Sequence, residues 1–226
     1  MKITFLGTGA ADWPMERSEE MTEFRRFSSA LIDDVLLIDP GPQVLCALSE
    51  VGKDVTKIKY IINTHEHFDH FCNATITGLE ANGALFFAFQ SGDIKNIGGY
   101  TVRAYAANHS TCEKAVHFII SDGKRTLFYG LDGAWLLYDE VQAIQEYRPD
   151  FAVIDATVGE GEGDYRIFEH NNLRMVLEMK ESLTDYIGKF CISHMARTLH
   201  TDHKSLCEKM EGHNIIVAYD GLEIEI

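Results

Sequence analysis

Short apolar stretches broken by glycine, aspartate or proline dominate the first half of the chain. KITFL (2–6), SSALI (28–32) and VLLI (35–38) read as strands. IDPGP (38–42) reads as an exit from a strand into a turn, followed by a helix from about Gln43 to Val51. KIKYIIN (57–63) is a further strand, and ATITGLEA (74–81) predicts a helix that stops near Asn82-Gly83. ALFFAF (84–89), TVRAYAA (101–107), AVHFII (115–120) and TLFYGL (126–131) are strand-like, and the Asp-Gly in SDGK (121–124) marks a hairpin. The periodicity then changes. Residues 134–147 and 171–183 carry helical patterns, with FAVID (151–155) and KFCIS (189–193) as strands between and after them. His200–Glu211 predicts a last helix, and IIVAYD and LEIEI close the chain as strands. Strands first and strand–helix alternation second predict an α/β fold, with sheets covered by helices.

The length, 226 residues, suits one domain spanning 1–226. Asp and Glu outnumber Lys and Arg by 35 to 20, and a net charge of -15 repels polyanions. Large nucleic acids are therefore poor partners, because binding them requires clustered cations. A small anion remains compatible if local cations such as metals hold it. No apolar run approaches the ~18 residues of a membrane span, and the amino terminus lacks the apolar core of a signal peptide. The five cysteines are widely spaced with no C-x-x-C pair, which reads as reduced thiols of a cytoplasmic protein.

The chemistry concentrates in IINTHEHFDH (61–70). His65 and His67 are two apart, so on an extended backbone they point the same way. Asp69 and His70, after the chain turns, can face a second point nearby. Four ligand-type residues in six positions divide between two adjacent metal ions. Imidazole and carboxylate suit zinc or manganese, and iron is also accommodated. Further ligands are expected at other strand ends: His109 after RAYAA, Asp132 after TLFYGL and His194 after KFCIS. Asp132 is the natural bridge, since a carboxylate can offer one oxygen to each ion.

These residues resemble the metallo-β-lactamase superfamily, most closely the branch holding ribonuclease Z and the phosphoribosyl 1,2-cyclic phosphate phosphodiesterases. LGTG (6–9), Asn-His-Ser (108–110), EHNNL (169–173) and YDGLEI (219–224) carry the resemblance beyond the histidine cluster. It implies a four-layer αββα sandwich with a metal centre at one edge. It implies one ion on His65, His67, His109 and Asp132, and a second on Asp69, His70, Asp132 and His194. Asp39 resembles the acid that orients a ligand histidine.

Asp69 and His170 are the catalytic candidates. His170 precedes the helix 171–183, whose exposed amides favour an anion and disfavour a charged imidazole, whereas a bound phosphate would favour protonation. In the families resembled, a histidine in this stretch assists phosphodiester cleavage.

The expected activity is hydrolysis of a small cyclic, sugar or nucleotide phosphodiester by water activated between two divalent ions. A lactonase, thioesterase or β-lactamase on the same fold is the alternative, and a homodimer is compatible with either. Transfer RNA processing would need a basic arm that the sequence lacks. Two features depart from the phosphodiesterase pattern: residues 11–26 hold no cysteine for a structural zinc loop, and Gly133 follows Asp132 where threonine is frequent. His117 lies within a strand and reads as a packing or rim residue. His200 and His203 read as helix-surface residues, and His213 is rejected as a ligand.

Overall fold

The computed structural model describes residues 1–226. One mixed sheet holds six strands: β1 (Lys2–Gly7), β2 (Ser29–Ile32), β3 (Leu36–Ile38), β4 (Tyr60–Ile62), β5 (Leu85–Phe87) and the last strand, β13 (Glu223–Glu225), in the order β13-β1-β2-β3-β4-β5. The other holds β6 (Ile94–Ile97), β7 (Tyr100–Ala106), β8 (Val116–Ser121), β9 (Thr126–Gly130), β10 (Phe151–Asp155), β11 (Lys189–Ser193) and β12 (Ile215–Val217), ordered β12-β11-β10-β9-β8-β7-β6. Helices α1 (Val44–Glu50) and α2 (Asn73–Glu80) cover the first sheet. Helices α3 (Tyr138–Tyr147), α4 (Leu173–Leu183) and α5 (His203–Glu211) cover the second.

Period-two alternation builds these layers. Ile3, Phe5, Ala30, Ile32, Leu36 and Ile38 face the core between the sheets, whereas their neighbours Leu6, Leu31 and Leu37 pack under α1 and α2. Likewise Phe118, Tyr129 and Val153 point between the sheets, and Ile119, Phe128 and Ala152 point to α3–α5. Both sheets are thus covered on both faces, which explains why their strands read as near-continuous apolar runs. The result is an αββα sandwich.

Three elements differ from the sequence reading. The strand β6 was not anticipated: it pairs antiparallel with β7 across the two-residue turn Gly98-Gly99, both at positive φ, as a tight hairpin requires. Helix α3 starts at Tyr138 rather than at residue 134. Tertiary hydrogen bonds hold 134–135 open, from Ala134 N to Asn108 O (3.1 Å) and from Trp135 N to Asn171 Oδ1 (2.7 Å). Helix α5 starts at His203, where the Asp202 carboxylate caps Ser205 N (3.0 Å), so His200 lies in a loop. No helix is long and apolar enough to cross a membrane.

Candidate metal centre

Strand β9 runs parallel to β10, and β10 to β11, so their carboxyl ends meet one edge of the second sheet. β3 and β4 run parallel in the first sheet. Beyond these ends lie Asp132, Asp155 and His194 from one sheet, and Asp39 and the 63–72 loop from the other. His109 follows the end of β7. Gly41 lets the loop approach, because a Cβ there would overlap the carbonyl oxygen of Asp69.

Two clusters form. In the first, His65, His67, His109 and Asp132 present ligand atoms within 4.8 Å of one another; in the second, Asp69, His70, Asp132 and His194 do the same. Asp132 belongs to both, and its two oxygens divide between them. Oδ2 lies 3.7 Å from His65 Nε2 and 3.9 Å from His109 Nε2. Oδ1 lies 3.0 Å from both His70 Nε2 and His194 Nε2. Yet Oδ1 of Asp132 and Nε2 of His65 are buried with no partner in hydrogen-bond geometry. Buried polar atoms left this way are costly, and a cation at their point of convergence would satisfy them. The all-nitrogen-and-oxygen donor set fits a divalent ion.

The charges fit as well. Burial, helped by the charge of neighbouring His70 and opposed by Asp132, pushes the imidazole of His65 down to about 2, so it presents a neutral nitrogen. Burial also works against protons on His70 and His194, but the carboxylates around them prevail, Asp132 foremost. His194 is raised to about 10 and His70 well above its ordinary value. Protons here stand in for cations.

Asp39 fixes both ends of the histidine loop. Its Oδ2 accepts from His70 Nδ1 (3.0 Å), and its Oδ1 accepts from Thr64 N (2.7 Å) and Thr64 Oγ1 (2.9 Å). Thr64 Oγ1 in turn meets His65 Nδ1 at 2.9 Å. Asp39, Asp132 and His194 all sit at left-handed φ, between 59° and 62°. Such a conformation costs about 1–3 kcal/mol for a residue with a side chain, and here dense hydrogen bonding holds it.

His170 lines the same cleft, but a partner absent from the sequence reading governs it. Nδ1 lies 2.9 Å from Oδ2 of Asp155, a fully buried carboxylate at the end of β10. Asp155 also accepts from the backbone of Asp132 (3.2 Å), Thr157 (3.0 Å) and Asn171 (2.9 Å). Burial pushes the His170 proton off, Asp155 more than offsets this, and the imidazole is raised. This corrects the helix-dipole argument: Asn172, not His170, caps α4, and a carboxylate rather than the amide dipoles sets the charge. The signal for Asp155 was present, since FAVID ends a strand in aspartate as TLFYGLD does.

The cleft, 290 Å³, is also lined by Asp12, Thr157, Tyr165, Arg166 and Glu169. Arg166 is the one Lys or Arg side chain among its lining residues, and Asp164 grips it through Nε (2.9 Å) and Nη2 (2.6 Å). The acidic, glycine-rich loop 159–164 therefore leads into the wall of the site. His200 Nε2 donates to Ala156 O (2.6 Å), His203 contacts Arg25 (3.0 Å), and neither belongs to a ligand cluster. His213 lies in the turn after α5. In the segment without cysteines, Trp13 Nε1 donates to Met195 O (2.8 Å) and Arg25 to Ala218 O (2.8 Å), tying it down without a zinc loop.

Residues 28–76 match the family model described as Metallo-beta-lactamase superfamily. With the αββα architecture, this gives the chain the metallo-β-lactamase fold. Solved structures resemble it over its full length. They include zinc-bound PqqB from Methylobacterium extorquens, with 15% identity, 100% of both chains covered and a TM-score of 0.75. A diphosphatase from the PhnP family shares 16% identity over 100% of this chain and 97% of its own, with a TM-score of 0.74. Human tRNase Z, short form, shares 17% identity over 100% and 99%, with a TM-score of 0.73. At these identities the likeness shows the fold. No curated protein matches the sequence.

Proposed function

We infer that the protein is a metal-dependent hydrolase using two divalent ions, and that its substrate is a small phosphodiester. The observation that carries this reading is the pairing of two ligand clusters sharing Asp132 with His170 on the same cleft wall, backed by the buried Asp155. His65, His67, His109 and Asp132 would hold one ion, and Asp69, His70, Asp132 and His194 the other. When bound, the ions supply positive charge for the phosphate and lower the pKa of water toward neutrality.

The remaining roles belong to the chain. Asp155 holds the proton of His170 on Nδ1 and orients the ring, leaving Nε2 without a protein partner. Nε2 then donates to a phosphate oxygen or to the departing alkoxide, a role typically worth ~10²–10⁴-fold. Asp69 takes the proton of the attacking water. Arg166 offers its remaining N–H groups to a second anionic group of the substrate. A cleft of 290 Å³ suits a small molecule, and the net charge of -15 disfavours a polynucleotide. The PhnP-family diphosphatase and tRNase Z among the similar folds support phosphate chemistry over ester or lactone hydrolysis.

The test is turnover of bis(p-nitrophenyl) phosphate and 5-phosphoribosyl 1,2-cyclic phosphate with Mn²⁺ or Zn²⁺, against a chelated control. Metal-dependent hydrolysis of either is expected. Absence of any metal-dependent phosphodiester turnover, with ester hydrolysis intact, would transfer the site to the alternative chemistry.

A further inference from the structure

A second buried histidine–carboxylate pair lies behind the shared ligand, outside both clusters. His117, on β8, and Glu140, on α3, are almost wholly buried. Nδ1 of His117 lies 2.5 Å from Glu140 Oε1, and its Nε2 lies 3.1 Å from the carbonyl oxygen of Leu131. That carbonyl can only accept, so Nε2 carries a proton. Leu131 immediately precedes Asp132. The other oxygen of Glu140 accepts from Leu137 N (2.7 Å), closing the start of α3. Each polar atom of the pair therefore has a partner, which a buried network requires.

The imidazole also occupies a defined space. A Cβ at Gly133 would stand 2.6 Å from His117 Cε1 and 2.9 Å from Nε2, closer than real contacts allow. Residues 131 and 133 thus wrap one ring, and Asp132 between them sits at φ 60°. Other contacts hold the far side of this loop. Asp155 accepts from Asp132 N (3.2 Å), and Asn171 Nδ2 donates to Gly133 O (2.8 Å). His117 is the side-chain donor to the peptide unit entering Asp132.

We propose that His117 and Glu140 are a positioning pair, which holds the Leu131 carbonyl and so keeps Asp132 turned with one oxygen toward each cluster. The absence of a side chain at 133 is the counterpart of this arrangement, because His117 fills the space a threonine there would need. The inference rests on reading Asp132 as the shared ligand. It adds that aim of this carboxylate is set from β8 and α3 rather than from the ligand loops.

The test compares wild type, Glu140→Gln, His117→Gln, Gly133→Thr and the double variant His117→Gly/Gly133→Thr. The readouts are Zn²⁺ affinity by chelator competition, the visible spectrum after Co²⁺ loading, and circular dichroism of the metal-free protein. Glu140→Gln and His117→Gln, where folded, are expected to lose at least tenfold in affinity at one site, with an altered cobalt spectrum. Gly133→Thr is expected to lose metal binding, and the double variant to regain part of it by removing the overlap. A folded Glu140→Gln or His117→Gln with wild-type affinity and spectrum overturns the proposal. Should neither single variant fold, a double variant no better than Gly133→Thr overturns it. Failure of the wild type to bind Zn²⁺ or Co²⁺ at all would instead remove the metal reading beneath it.

Discussion

Asp155 Oδ2 lies 2.9 Å from His170 Nδ1 and 3.5 Å from His194 Nδ1, so one buried carboxylate stands behind both a candidate ligand histidine and a candidate proton donor. The two imidazoles stack at 5.4 Å with planes 17° apart. Asp155→Asn therefore removes the charge that holds the His170 proton. The alkaline limb of the kcat/KM profile should move to lower pH, with a smaller loss than in His170→Ala. For His170→Ala, a fall of ~10²–10⁴-fold on phosphodiesters is expected. Unchanged phosphodiester turnover in that variant would remove His170 from the mechanism.

Asp39 touches no other cleft atom that the mechanism uses, yet it orients His70 directly and His65 through Thr64. Asp39→Asn should lower divalent-ion affinity by ~10–100-fold, the usual effect of losing a group that orients a ligand. Chelator competition measures this, and an affinity equal to wild type would contradict it.

Metal binding should strengthen as pH rises. Ligand imidazoles must be neutral to bind an ion, and in the metal-free protein His194 is raised to about 10. A raised folded-state value means that this stabilisation is full below about 6.5. It is lost as pH climbs toward about 10. The metal-free protein should thus weaken over the window in which the metal-bound form gains. Calorimetry in buffers of different ionisation enthalpy should show protons released on Zn²⁺ binding, and no release would contradict the assignment.

Gly41→Ala places a methyl group against the backbone of Asp69. Overpacking of this kind costs about 1–3 kcal/mol, so the urea midpoint should fall. Metal affinity should fall with it, because the strain is relieved by moving the ligand loop.

Arg166→Ala should raise KM about tenfold for substrates carrying a second anionic group and leave kcat nearly unchanged, since the guanidinium binds rather than reacts. Equal KM values for singly and doubly anionic substrates in wild type and variant would refute that role.

The layers and the candidate ligand residues were legible in the chain because both are local signals. Alternation of apolar residues specifies which face of a strand is buried, and HEHFDH places four donors within six residues. The strand-end positions of His109, Asp132 and His194 added the rest, since parallel strands bring their carboxyl ends to one edge. The Gly98-Gly99 turn before β7 is an equally local signal.

What lay beyond the sequence depends on which distant groups meet and in what direction. Asp155 and His170 are fifteen positions apart, and His117 and Glu140 twenty-three. Their contacts follow from strand order and helix placement, which no short window contains. The same holds for the left-handed backbone at Asp39, Asp132 and His194, which intrinsic preference disfavours and only surrounding hydrogen bonds maintain. Residue types announced the chemistry; the packing of two sheets decided which carboxylate faces which imidazole.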